Sequence, residues 1–129
     1  MKKYRLDLHI HSVLSPCADI LMTPENIIKE AAKKDIDIIS ITDHNVIGNV
    51  ESAIKIAKKT DITILPGIEV QSKEDIHLLS YFNSLKDLKK YGKIIYEGLE
   101  DIKNEEDKFG PQILVDENDE FIGKEEKLL

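Results

Sequence analysis

The chain has a single cysteine, Cys17, so it cannot build an internal disulfide framework. No apolar run approaches the roughly 20 residues of a membrane span, and the opening MKKYRLDLHI carries two lysines but no apolar leader core. A basic stripe is also missing. The net charge is −7, the sequence pI is near 5.1, and the lysines are scattered among acidic residues. That balance argues against a nucleic-acid-binding surface and works against small anionic substrates, unless a local cation outweighs the net field. A reducing, cytoplasmic setting is expected, with neither membrane nor nucleic acid as a partner. Histidine is scarce too: there are only four, His9, His11, His44 and His77.

What is present is the composition of a soluble globular protein, with 41% hydrophobic and 33% charged residues over 129 positions. The first half alternates strands with helices. Tyr4 to His11 alternates in polarity like a strand, and Ile36 to Thr42 is a β-branched run suited to a strand buried on both faces. Ile62 to Val70 reads as a third strand interrupted by Pro66-Gly67. Between them, MTPENIIKEAAKK has Thr23 as N-cap and Pro24 at the first helical position, and VESAIKIAKK (Val50 to Lys59) is a second helix. This β-α-β-α-β order predicts right-handed crossovers and a mainly parallel sheet.

The pattern then changes. Only QSKED separates Val70 from the run IHLLSYF, too short for a parallel crossover, so an antiparallel hairpin is expected. A long amphipathic helix should follow, with Leu85, Leu88, Ile95, Leu99 and Ile102 at helical spacing. QILVDENDEFIG reads as a second hairpin turning at Glu117-Asn118-Asp119. The final KEEKLL has no cap and is expected to leave two leucines exposed.

Every histidine falls in or just after a predicted strand. His9 and His11, two apart in a strand, project from one face and reach one small volume. Imidazole is the commonest neutral metal ligand. TDHN ends the second strand and PGIE lies in the third, placing His44, Asp43 and Glu69 at the carboxyl ends of strands, where functional groups gather. Asp43 reads as a ligand, as an orienter of one, or as a simple cap. If residues 71 to 75 form the hairpin loop, Glu69 stands opposite His77 with Cβ atoms about 5 Å apart. A metal site follows, and its mixed imidazole and carboxylate set favours zinc, manganese or iron. A glutamate facing several histidines points to a bridging carboxylate in a multi-metal cluster that activates water, so Ser12, Ser15 and Cys17 are not needed as nucleophiles. Cys17 is expected to be a small buried filler. Asp7 is a possible orienter of the histidine pair.

Taken in order, DLHIHS, ITDHN, PGIEV and HLLSYF resemble the successive motifs of the PHP (polymerase and histidinol phosphatase) superfamily, over about residues 5 to 82. The resemblance implies a distorted β/α barrel, usually seven-stranded, that holds two or three divalent metals and hydrolyses phosphoesters. It implies His9, His11, His44 and His77 as ligands and Glu69 as a bridging ligand. In many members an aspartate stands five residues beyond the second histidine. Here that position is Pro16, and Asp19 is the nearest substitute. The family's later ligands, a histidine and an Asp-x-His pair, have no counterpart after His77.

The expected architecture is therefore α/β. Residues 1–83 form the N-terminal part of a PHP-like barrel with one antiparallel hairpin. Residues 84–129 add a long helix and a C-terminal β-hairpin that continue the barrel or insert in it. Four strands and three helices do not close a barrel. The chain is thus expected to be the N-terminal part of a longer protein, with a missing C-terminal half or a second chain completing it. The expected function is metal-dependent hydrolysis of a small phosphorylated substrate by metal-activated water, with Asp43 and Glu69 as candidate catalytic groups. An amidohydrolase-type hydrolase and an inactive metal-binding or regulatory PHP module are the alternatives.

Overall fold

In the computed structural model, which describes residues 1–129, the alternating start of the chain forms β1 (Leu6–Ile10). The helix α1 (Pro24–Lys33) follows. Its Thr23 hydroxyl accepts from the Asn26 N–H, Pro24 opens it, and Glu25 sits in the first turn, where the helix dipole favours a carboxylate. The β-branched run yields β2 (Ile38–Ile41), and α2 (Val50–Ala57) leads into the short β3 (Thr63–Ile64). These strands form one parallel sheet in the order β1-β2-β3.

The Ile62–Val70 segment, expected as one interrupted strand, is two strands in different sheets. Pro66 provides no N–H for the ladder, and the chain is redirected into β4 (Gly67–Gln71). Gly67 is where β4 crosses close to the end of β2: a Cβ there would run into Ser40 Oγ and come 3.0 Å from Thr42 Cγ2. Beyond that point β4 rejoins the wall. Asn45 N–H donates to Glu69 O at 2.8 Å and Glu69 N–H to Asp43 O at 3.2 Å, forming a parallel bridge between His44 and Glu69.

The antiparallel hairpin is present, formed by β4 and β5 (His77–Tyr81), but its register differs from the expected one. Gln71 stands opposite His77, and Glu69 stands opposite Leu79. The cause is the turn. Ser72 N–H donates to Ile76 O, the Ser72 hydroxyl accepts from the Glu74 and Ile76 N–H groups, and Asp75 takes a positive φ of 60°. The loop therefore starts one residue later and ends one residue later. The net slip is even, so Glu69 and His77 keep the same face and become diagonal neighbours.

Helix α3 (Leu85–Gly98) is capped by Ser84, whose hydroxyl accepts from the Asp87 N–H. It ends at Gly98, so the expected helical positions Leu99 and Ile102 lie outside it. Leu99 is already extended, with ψ 144°. One further turn, α4 (Glu106–Phe109), precedes the C-terminal hairpin of β6 (Ile113–Val115) and β7 (Phe121–Lys124). Its bend is held by Asp116, whose carboxylate accepts from the Asn118 and Glu120 N–H groups. The final leucines are half-buried, not exposed as expected. Leu128 N–H donates to Ile102 O, and Leu129 N–H donates to the buried Gln112 side chain.

The main core lies between the sheet and the first two helices, with Ile27, Ile28 and Ala31 against Ile39, Ile41, Ala53 and Ile64. A second cluster joins Val50, Ile68 and Leu88, which fixes α3 against β4 and α2. No helix is long and apolar enough to cross a membrane.

Candidate metal centre

All four histidines meet at Glu69, at the carboxyl ends of the wall strands. His9 lies in β1 and His11 just after it, His44 follows β2, Glu69 is in β4, and His77 opens β5, which runs antiparallel and so begins at the same edge. Glu69 Oε2 is 2.7 Å from His11 Nε2, 3.2 Å from His9 Nε2 and 3.5 Å from His44 Nδ1. Glu69 Oε1 faces the other way and is 3.0 Å from His77 Nδ1. The carboxylate side chain is only 4% exposed, while His9 and His77 at the rim are 50% and 42% exposed. The site is a buried anion under a ring of imidazoles that opens to solvent.

These residues fit a divalent cation. The Nε2 atoms of His9 and His11 are 3.2 Å apart and both point at Glu69 Oε2, so three lone-pair donors converge on one point. A second group of donors, His44, Glu69 and His77, shares the same carboxylate. The Nδ1 atom of His44 is sealed from solvent, makes no hydrogen bond within the chain and lies 3.5 Å from Glu69 Oε2, which leaves it free for a metal. Burial holds the His44 imidazole below the usual histidine range, assisted by the neighbouring His11, which favours the neutral ring, the form able to bind a cation. Burial pushes the Glu69 carboxyl upward, but the hydrogen bonds from His9, His77 and His11 outweigh it and keep the group below the ordinary glutamate range.

Asp43 is not among these donors. It is fully buried on the far side of the loop after β1, where it accepts from the Ser12 N–H at 2.7 Å, the Ser12 hydroxyl at 2.6 Å and the Ser15 hydroxyl at 2.7 Å. Burial drives its carboxyl above the usual aspartate range, against the pull of those serines. Ser15 Oγ in turn accepts from the His44 N–H at 3.2 Å. The two serines set aside as nucleophiles therefore clamp the loop that carries His11 to the one that carries His44. Asp19 also lies elsewhere: it is exposed, and its carboxylate accepts from the Leu21 N–H at 2.8 Å. Asp7 accepts from the His9 backbone N–H at 3.5 Å and does not reach a ring nitrogen. Cys17 is exposed, contrary to the expected buried filler, with Sγ 3.1 Å from His11 Nδ1.

Sequence reasoning missed Asn49. It occupies the N-cap position of α2 but makes no cap, because its amide is used elsewhere. Fully buried, it donates to Ser12 Oγ and to Ile113 O, both at 3.0 Å, and accepts from the Val115 N–H at 3.1 Å. One side chain thus joins the site loop to β6. Only a polar residue before an apolar helix was visible in the sequence, and that pattern predicts a cap. The Tyr81 hydroxyl, donating to Leu8 O at 2.6 Å, likewise had no signal in the sequence.

A parallel wall whose carboxyl edge gathers imidazoles around one carboxylate is part of a β/α barrel. The sequence model of the PHP domain matches residues 7–125, and the chain belongs to that family. A protein of Methanocaldococcus jannaschii, the uncharacterized MJ1587, is 37% identical in an alignment covering 54% of this chain and 46% of that protein. An amidohydrolase from Chromobacterium violaceum, solved with bound sulfate and no metal, superposes with a TM-score of 0.57 at 30% identity, over 73% of this chain and 34% of that one. A structure assigned as a metal-dependent phosphoesterase from Bifidobacterium adolescentis has the same fold, with a TM-score of 0.55 at 21% identity over 72% and 33% of the two chains. The chain spans less than half of MJ1587 and about a third of either solved structure.

Proposed function

We propose that this chain carries the first half of a metal-dependent phosphoesterase site, and that His9, His11, His44, Glu69 and His77 hold two divalent ions. The observation that carries the reading is the split of Glu69. One carboxylate oxygen faces His9, His11 and His44, and the other faces His77, which is how a carboxylate bridges two cations. When bound, such a pair supplies Lewis acidity, which lowers the pKa of water and stabilises charge on a phosphoryl group.

The protein's own residues bind, orient and leave room. The Ser12–Asp43–Ser15 clamp fixes the loops that carry His11 and His44. The exposed flanks of His9 and His77 leave an open approach for substrate. Zinc, manganese or iron suits the donor set, and a small phosphorylated molecule is the substrate class. No catalytic role is proposed for Asp43 or Asp19, because neither carboxylate is in the cluster.

The kinship with an amidohydrolase keeps amide hydrolysis as a second reading. The test is turnover of an aryl phosphomonoester, an aryl phosphodiester and a cyclic amide by the full-length gene product with zinc or manganese. Phosphoester turnover abolished by a chelator is expected. Metal-dependent turnover of the amide alone would replace this reading with the second.

A further inference from the structure

We propose that Asn45 is a positioning residue for the second ion, the one for which His44, Glu69 and His77 supply the donors. Its side chain stands in for a piece of strand and ties the Glu69–His77 arm to the His44 loop. The proposal rests on the two-ion reading of the cluster.

The backbone around His44 carries it. Glu69 N–H donates to Asp43 O at 3.2 Å and Asn45 N–H to Glu69 O at 2.8 Å, so β4 runs parallel to the segment after β2 for one bridge. A regular parallel ladder would continue with a bond from the Gln71 N–H to the Asn45 carbonyl. Asn45 instead takes a positive φ of 57°, and the chain turns out of the wall toward α2. The Gln71 N–H donates to Asn45 Oδ1 at 2.9 Å, so a side-chain oxygen replaces the missing carbonyl. Asn45 is only 5% exposed, which makes this contact part of the packed interior. Few residues can do both jobs. Asparagine and aspartate enter the left-handed region more readily than other residues with a side chain, and both carry a short-range oxygen acceptor.

Position along β4 gives the contact its consequence. Asn45 grips β4 at the Glu69 carbonyl and again at the Gln71 N–H. Gln71 is the ladder partner of His77, and residues 72–76 form the turn between them. The side-chain contact thus lies on the chain between Glu69 and His77, whose Oε1 and Nδ1 atoms are 3.0 Å apart. His9 and His11 approach Glu69 Oε2 from β1 and the loop after it. Donor groups have to be held to about 0.5 Å to act together. Asn45 therefore sets the spacing of His44 against the Glu69–His77 arm, while the His9–His11 pair keeps the geometry that β1 gives it.

The experiment titrates the full chain, Asn45→Gly and Asn45→Asp with zinc by calorimetry, beside amide hydrogen exchange of each metal-free protein. Glycine keeps the left-handed backbone and loses the acceptor, whereas aspartate keeps both. In Asn45→Gly the Gln71 amide should exchange faster. One zinc equivalent should bind as in the wild type, and the other should weaken on the order of 10–100-fold. Asn45→Asp should restore both the Gln71 protection and the second equivalent. Two tight equivalents in Asn45→Gly, equal weakening of both, or no rescue by Asn45→Asp overturns the proposal and leaves the metal centre standing. Should Asn45→Gly not fold, the wild type decides. Binding of its second equivalent should slow exchange of the Gln71 amide, because coupling between two sites is reciprocal, and unchanged exchange overturns the proposal. A wild type that binds fewer than two equivalents overturns the two-ion reading itself.

Discussion

Glu69 combines almost complete burial with contacts to four imidazoles, and that combination has a direct consequence at the residue scale. Glu69→Gln preserves the shape but removes the charge and one of the two ligating oxygens. The expected result is loss of at least one metal equivalent, read by elemental analysis after gel filtration, with the fold retained by circular dichroism. Asn49→Leu tests the buried clamp. It leaves Ser12 Oγ, Ile113 O and the Val115 N–H short of a partner, so unfolding stability should drop by about 2–4 kcal/mol, measured by urea denaturation. The four histidines and Glu69 were legible as candidates because each carries a donor and lies in or just after a strand. Asn49 and the Ser12–Asp43 clamp were not legible. Their partners lie 31 to 66 residues away, and nothing local distinguishes a clamp from a cap or a ligand.

At the scale of elements, strand and helix identities followed from polarity periods and caps, whereas boundaries and register did not. Pro66-Gly67 marked an interruption, but only the approach of β4 to Ser40 and Thr42 explains why it is a change of sheet. Gly67→Val should therefore push β4 off the end of β2. The expected cost is about 1–3 kcal/mol of stability, by thermal or urea unfolding, together with weakened metal binding, because Glu69 travels with the strand. The register of the β4–β5 hairpin was set by Ser72 capping its own turn, a contact that hydrophobic alternation does not encode. Removing a single residue from the Ser72–Ile76 loop is an odd slip and should turn His77 to the opposite face. Loss of the metal equivalent that His77 shares with Glu69, by elemental analysis, checks this.

At the scale of the whole molecule, the parallel wall has open margins. β5 carries exposed Leu78, Leu79 and Tyr81, and β1, a sheet edge, exposes Leu6. Such edges pair with further strands in a closed barrel. We propose that another part of the gene product or another chain supplies them, together with ligands additional to the five gathered at Glu69. Metal binding should also act as a staple between β1, β2, β4 and β5, each of which carries or leads into a residue of the cluster. A free metal concentration about 100-fold above Kd should add about 2.7 kcal/mol to unfolding stability, and a chelator should reverse it. A melting temperature indifferent to both would place the cluster outside the stabilising framework.

Elemental analysis of the purified chain beside the His9→Ala/His11→Ala double variant tests the central claim most directly. Stoichiometric zinc, manganese or iron in the wild type and its loss from the folded double variant is the predicted result. A wild type that remains metal-free after incubation with these ions, or equal metal in both proteins, would contradict it.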